Sequence, residues 1–223
     1  MRARVIALSL ALLCAAQPAF SEDDKSLDNL ERALKATSGA ARLYLTDADC
    51  SSPYLYGADF PKFHSRPAAT IDSPLAAVRS VFAGEPGVAV SERTPGLVGI
   101  RLGDIGAADA LLKTTMPRVN LSPLAQWNDL DAIAAITGYR TIRDAEARQG
   151  LKGAGGLSDH LVQGPDHDVA HLPPTLHDLT MDEALDRVAT TFGGIVIFAT
   201  CRKDDWRGYV VEFVPVRDWD DRP

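Results

Sequence analysis

The chain has 223 residues, 46% hydrophobic and 24% charged, with 17 Gly, 14 Pro and 3 Cys. That composition excludes a collagen-like repeat, a disulfide-dense miniprotein and a long disordered tract, and leaves enough chain for a real core in one domain or two small ones. A formal charge of −7 argues against a protein built to hold nucleic acid, because phosphate binding needs a basic surface.

Arg2 and Arg4 precede an apolar run from Val5 to Ala16. The run is shorter than the roughly 20 apolar residues that span a bilayer. A charged start, a short apolar region and small residues at Ala19-Phe20-Ser21 are the pattern of a secretory signal peptide, so residues 1–21 are expected to be removed before Glu22. No second apolar run follows, which predicts a soluble exported protein, periplasmic or secreted, without a stable membrane span. Cleavage would leave Cys50 and Cys201. An even pair in an oxidising compartment is expected to form one disulfide.

Leu27, Leu30 and Leu34 share one face of a predicted helix over Ser26–Ser38, opposite Asp28, Glu31, Arg32 and Lys35. Ala41–Thr46 alternates apolar and polar residues, the pattern of a half-buried strand. Residues 47–67 read as a long loop holding Tyr54, Tyr56, Phe60 and Phe63, and Ala69–Asp72 as a short strand. Ser73-Pro74 is a helix-start signal, a serine cap with proline at the first helical position. Leu75, Val78, Val81 and Phe82 give that helix its apolar stripe. Val88–Glu92 and Leu97–Leu102 flank Thr94-Pro95-Gly96 as a hairpin.

Ala107–Thr114, Leu124–Thr137 and Thr141–Gln149 are predicted helices, followed by a glycine-rich loop over Gly150–Gly156 and an irregular stretch from His160 to His177. Thr180-Met-Asp-Glu183 is a capping-box sequence. Ala184, Leu185, Val188 and Phe192 form the stripe of the helix it opens. Ile195–Ala199 and Tyr209–Val214 are predicted strands around a polar turn at Arg202–Gly208.

Pro74–Val90 and Met181–Ile197 align without a gap at an offset of 107: Ala77 falls on Ala184, Val78 on Leu185, Val81 on Val188 and Gly87 on Gly194. Each copy is a cap, an amphipathic helix, a glycine stop and a hairpin, which suggests two related units. The expected fold class is α+β. Two small helix-plus-hairpin units, residues 22–104 and 176–223, flank a helical segment and histidine-containing loop over residues 105–175.

The run "SPLAAVRSVFAGEPGVAVSE", with the elements around it, resembles the short N-terminal domain of secretins and TonB-dependent receptors, over roughly Leu27–Leu102. "LTMDEALDRVATTFGGIVIF" is similar to the helix-and-strand half of that module. The resemblance implies a non-catalytic periplasmic module that docks other proteins. It carries no functional residue across, and no pore or barrel sequence follows.

Three functions are compatible with these residues. The leading one is an exported, non-catalytic interaction or accessory module of the cell envelope, needing no cofactor, which docks an envelope protein partner. Docking would use a sheet edge or the aromatics Tyr54, Tyr56, Phe60 and Phe63, since aromatic residues are enriched at interface centres. The second is binding of a transition metal such as zinc by His160, His167, His171 and His177, which interleave with Asp159, Asp166, Asp168 and Asp178. Pro165, Pro173 and Pro174 point instead to an extended loop, and no His-Glu-x-x-His motif is present. The third is a secreted enzyme with a site between the two units. No Gly-x-Ser-x-Gly motif, phosphate-binding loop or paired Cys and His supports it.

Overall fold

A computed structural model of the chain describes residues 26–49, 72–106, 108–154, 170–203 and 206–216. Helices and strands are mixed, as an α+β fold requires. Helix α1 (Ser26–Ala36) leads into strand β1 (Ala40–Asp49), and α2 (Pro74–Val81) into the hairpin β2 (Val88–Thr94) and β3 (Leu97–Leu102). Next come α3 (Ala108–Leu112), β4 (Thr115–Asn120), α4 (Pro123–Trp127), α5 (Asp129–Thr137), α6 (Arg140–Gln149) and β5 (Lys152–Ala154). Strand β6 (Thr175–Thr180), helix α7 (Met181–Phe192) and the hairpin β7 (Gly194–Lys203) and β8 (Trp206–Pro215) complete the described chain.

The strands of both expected units lie in one six-stranded sheet of order β2-β3-β1-β7-β8-β5. Strand β1 is its keystone, parallel to β3 on one side and to β7 on the other. The hairpin partners β2 and β8 run antiparallel to β3 and β7, and β5 closes the far edge parallel to β8. A second, two-stranded sheet pairs β4 with β6.

Alternation along the strands divides the interior into two layers. On one face Leu43, Leu45, Val98, Ile100, Ile195 and Ile197 pack against Leu30, Leu34, Val78 and Val81 of α1 and α2. On the other, Tyr44, Leu97, Val196, Phe198, Val211 and Phe213 pack against residues of α3, α5, α6 and α7. Sheet residues that are buried on both sides read as continuous apolar runs, as Ile195–Ala199 does.

Several expectations change in the middle of the chain. Thr115–Asn120 and Thr175–Thr180 form strands, the first in the break after the helix expected over Ala107–Thr114, the second overlapping the stretch expected to be irregular. Pro117 is compatible with that assignment because β4 pairs with β6 alone among the described strands. The helix expected over Leu124–Thr137 is two helices. Asn128 is extended (φ −129°, ψ 125°), and its side chain accepts hydrogen bonds from the amides of Leu130 and Asp131 to start α5. Residues Lys152–Ala154, within the expected glycine loop, make the short edge strand β5. The hairpin ladder also continues through the expected polar turn, pairing Arg202 with Arg207 and Lys203 with Trp206. The strand expected at Ala69–Asp72 falls almost wholly outside the described residues, which include only Asp72 of it.

Two expectations, a helix cap and the burial of a strand, need correction. Ser73 stands at the N-cap of α2 but makes no side-chain capping bond. Thr180 does: its hydroxyl accepts from the Glu183 amide at 3.2 Å, and the Glu183 carboxylate accepts from the Thr180 amide at 2.8 Å. Strand β1 is not half-buried, because both faces of Ala40–Leu45 are covered and Arg42 itself has no exposed surface. No described helix is long and apolar enough to cross a membrane.

Candidate functional site

The most polar part of the interior lies where α7 crosses β1 and β3. Strand alternation sends Arg42 and Tyr44 of β1 to the same face as Gly99 and Arg101 of β3. The register brings Arg42, Gly99 and Ser91 into one row across β1, β3 and β2. Two residues along β2, Arg93 lies over Gly99. A Cβ at Gly99 would stand 3.1 Å from the Arg93 Cγ, so the missing side chain leaves the channel through which Arg93 crosses β3. Asp182 and Asp186, one turn apart on α7, face down into this row.

The bonds close into a lattice. Arg42 Nη1 donates to the Asp182 carbonyl at 2.8 Å and to Asp186 Oδ1 at 3.1 Å, and its Nη2 lies 3.2 Å from Asp182 Oδ1. Arg93 Nη2 donates to Asp182 Oδ2 at 2.6 Å, and Arg93 Nε to Asp186 Oδ2 at 2.9 Å. The Tyr44 hydroxyl donates to Asp182 Oδ1 at 2.7 Å. The guanidinium carbons of Arg42, Arg93 and Arg101 stand 5.2, 5.7 and 5.2 Å from the Tyr44 ring centroid, the geometry of cation–π contact.

Two arginines thus balance two aspartates, which is what permits charge in this layer at all. Burial raises the Tyr44 hydroxyl well above its ordinary value, so it stays a donor and has no nucleophilic form near neutrality. Burial acts to lower Arg93, but Tyr44, Asp186 and Asp182 outweigh it and hold the guanidinium above its ordinary value. Burial also raises Asp186, against the pull of Arg42 and Arg93. Chemically the lattice is a clamp. It fixes the first two turns of α7 over the sheet and pins β2 from its own face through Arg93.

A second buried pair lies under α6. The Tyr209 hydroxyl donates to Glu146 Oε1 at 2.5 Å, and Arg143 Nη1 donates to Glu146 Oε2 at 3.1 Å. Tyr209 also stacks on Phe198, with centroids 5.3 Å apart and planes 16° apart. Burial and the bond to Glu146 raise the Tyr209 hydroxyl far above its ordinary value, so this group too remains protonated.

The residues expected to act from sequence fall elsewhere. Tyr54, Tyr56, Phe60, Phe63, His160, His167 and Cys50 lie outside the described residues. His171 is exposed; its ring lies 4.3 Å from that of Trp127 at 41°, and its Nδ1 is 3.1 Å from the Leu172 carbonyl. Trp127 is half-buried at that contact. His177 is exposed on β6, directly opposite Arg118 of β4. Among the described residues no three His, Cys, Asp or Glu side chains converge as a metal site would need. Cys201 is buried on β7, in register with Ala48 of β1.

Sequence reading missed the clamp. Its signals were an arginine inside the apolar run Ala41-Arg-Leu-Tyr-Leu and two aspartates four apart on an amphipathic helix. Arg42 passed as the polar side of a half-buried strand because alternation alone does not tell a solvent-facing residue from one under a helix. No family model matches this chain, and no curated protein or solved structure matches it either.

Proposed function

We propose that the protein is an exported, non-catalytic interaction module of the cell envelope that takes an extended segment of a partner protein onto the outer side of β2. The observation that carries this reading is the position of β2. It is a seven-residue strand that ends the sheet and pairs with β3 alone among the described strands. A terminal strand offers a row of backbone donors and acceptors, and strand addition uses them for affinity. Between Val88 and Ser91 the pairing with β3 is regular, and the register shift comes only at Glu92–Thr94, near the turn. Ala89 and Ser91 point their exposed side chains away from the helices α1 and α2, while Arg93 holds the strand rigid. The resemblance of residues 27–102 to a docking domain of envelope proteins points the same way.

Export rests on residues 1–21 and on Cys201. Cys201 pairs in register with Ala48, two residues before Cys50 along the chain, and this placement favours the Cys50–Cys201 bond. Alkylation of the protein isolated from the envelope should modify neither cysteine until a reductant is added. Full labelling without reductant would remove this support for export.

Docking is tested with a photo-crosslinking residue at Ser91 and, as a control, at the exposed Asp144 of α6. The reading expects one discrete protein adduct from position 91 and none from 144. In a strand, successive amides point to opposite sides, so of Val90→Pro and Ser91→Pro one removes a bond to β3 and the other an outward donor. The first should lower Tm. The second should abolish the adduct, scored with the crosslinker at Ala89, while leaving Tm nearly unchanged. Equal adducts from both sites, or adducts indifferent to both prolines, would overturn strand addition.

A further inference from the structure

Outside the clamp, a small cavity of about 100 Å³ opens at the end of the sheet where the parallel strands β1, β3 and β7 finish. Asp104, Ile105 and Gly106, which follow β3, form one wall with Ala108 and Leu151. Thr200, Cys201, Arg202, Arg207 and Gly208 of the second hairpin form the other. Ligands of sheets with parallel strands characteristically settle at these carboxyl ends.

The arginines are the unusual feature. Arg202 and Arg207 stand directly opposite each other in the antiparallel ladder of β7 and β8, so both side chains leave the same face of the sheet. Thr200 and Tyr209, the next pair on that face, place it on the side of α3 and α6. Two like charges at adjacent cross-strand positions repel. Both are exposed, unlike Arg42 and Arg93, which the chain neutralises with carboxylates in its interior. Among the described residues neither Arg202 nor Arg207 has an ion-pair partner. The nearby carboxylate of Asp104 instead accepts the Gly106 amide at 2.8 Å, and Thr200 Oγ1 donates to the Leu45 carbonyl at 3.4 Å. In a protein of net charge −7, two arginines side by side at a cavity mouth, without an ion pair to a described side chain, form a local positive site.

We propose that this cavity is an oxyanion site in which Arg202 and Arg207 grip one phosphoryl group between them. Guanidinium forks match the oxygen spacing of such a group, and a dianion neutralises both arginines where a single carboxylate would leave one unpaired. The cavity admits the phosphoryl group and little more, so any substituent on it must point outward. Asp104 sets an upper limit on affinity by placing a negative charge on the rim.

The test is calorimetric titration and thermal unfolding of the full exported chain at constant ionic strength, with inorganic phosphate in one arm and glycerol phosphate in the other. Phosphate should raise Tm beyond an equal ionic strength of chloride. Arg202→Gln and Arg207→Gln should each weaken it about tenfold or more, Asp104→Asn should strengthen it, and Arg148→Gln on α6 should change nothing. In phosphate-free buffer Arg207→Gln should be at least as stable as the native chain, whereas a purely structural arginine would lower Tm when replaced. Binding in both arms assigns the site to a phosphoryl group carried by a larger molecule as well as to the free ion. Binding in the first arm alone assigns it to the free ion. No stabilisation beyond chloride, or binding by both arginine variants as tight as that of the native chain, would overturn the site.

Discussion

The stretch α2–β2–β3 and the stretch α7–β7–β8 share a sequence pattern and almost nothing of their placement. Helix α2 packs on one face of the sheet and α7 on the other. The first hairpin joins β1 through its second strand, β3, and the second hairpin joins it through its first strand, β7. As a result β2 is a half-exposed edge, while its counterpart β7 runs through the centre with Ile195–Ala199 wholly buried. The glycines that align at the helix ends differ too. Gly87 adopts φ +79° in open space, whereas Gly194 is required because a Cβ there would collide with the Phe213 ring and the Val214 carbonyl. The same local code builds the same element twice. The outward positions decide where each copy goes: Ala89, Ser91 and Glu92 tolerate water, and Val196 and Phe198 do not.

The largest effect that would sharpen this contrast comes from the clamp, which only α7 possesses. Arg42→Met leaves Asp182 and Asp186 facing one guanidinium instead of two and should cost about 3–5 kcal/mol, measured by urea unfolding. Adding Asp186→Leu should recover part of that loss. Next, Ile197→Ala should cost about 2–5 kcal/mol, as expected for a fully buried side chain, and its counterpart Val90→Ala about 1 kcal/mol or less. Equal losses would break the distinction between central and edge copies.

A smaller contrast lies at the helix starts, where Ser73 and Thr180 occupy equivalent positions. Thr180→Ala should cost about 1 kcal/mol, and Ser73→Ala no more than a few tenths, because only Thr180 makes a capping bond. The smallest effect is in pH. Hydrogen bonds from the Thr180 amide and hydroxyl lower the Glu183 carboxyl below its ordinary 4.5. A lowered carboxyl contributes stability at neutral pH that is lost as pH falls below 4.5 and Glu183 protonates. The penalty of Thr180→Ala should therefore shrink between pH 7 and pH 3, with no such change for Ser73→Ala, which has no acid in its first turn.

The elements of both copies were legible in the sequence because their stripes, caps and glycine stops are local. Thr180 with Glu183, and the burial of Ala184, Leu185 and Val188, follow from spacing alone. The join was not legible, because which strand of each hairpin meets β1 depends on packing between distant segments. Strands β4 and β6 were missed for a related reason: Pro117 and the Pro173-Pro174 pair suppress a strand reading that a partner strand makes possible. The clamp escaped because its five residues come from three elements, and the arginine pair because a polar hairpin end was taken for a turn.

Strand β1 is flanked on both sides by partners that arrive later in the chain. Leu43 sits between Ile100 and Ile197. During synthesis the first hairpin can satisfy one side of β1 early. The other side stays open until β7 has been made. Long sequence separation between pairing strands slows folding, since the intervening loop must be ordered before contact repays it. An open apolar strand edge is meanwhile a template for aggregation. The arrival of Gly194–Lys203 at β1 is therefore the committing step in forming this sheet, and a chain held back from it would need protection.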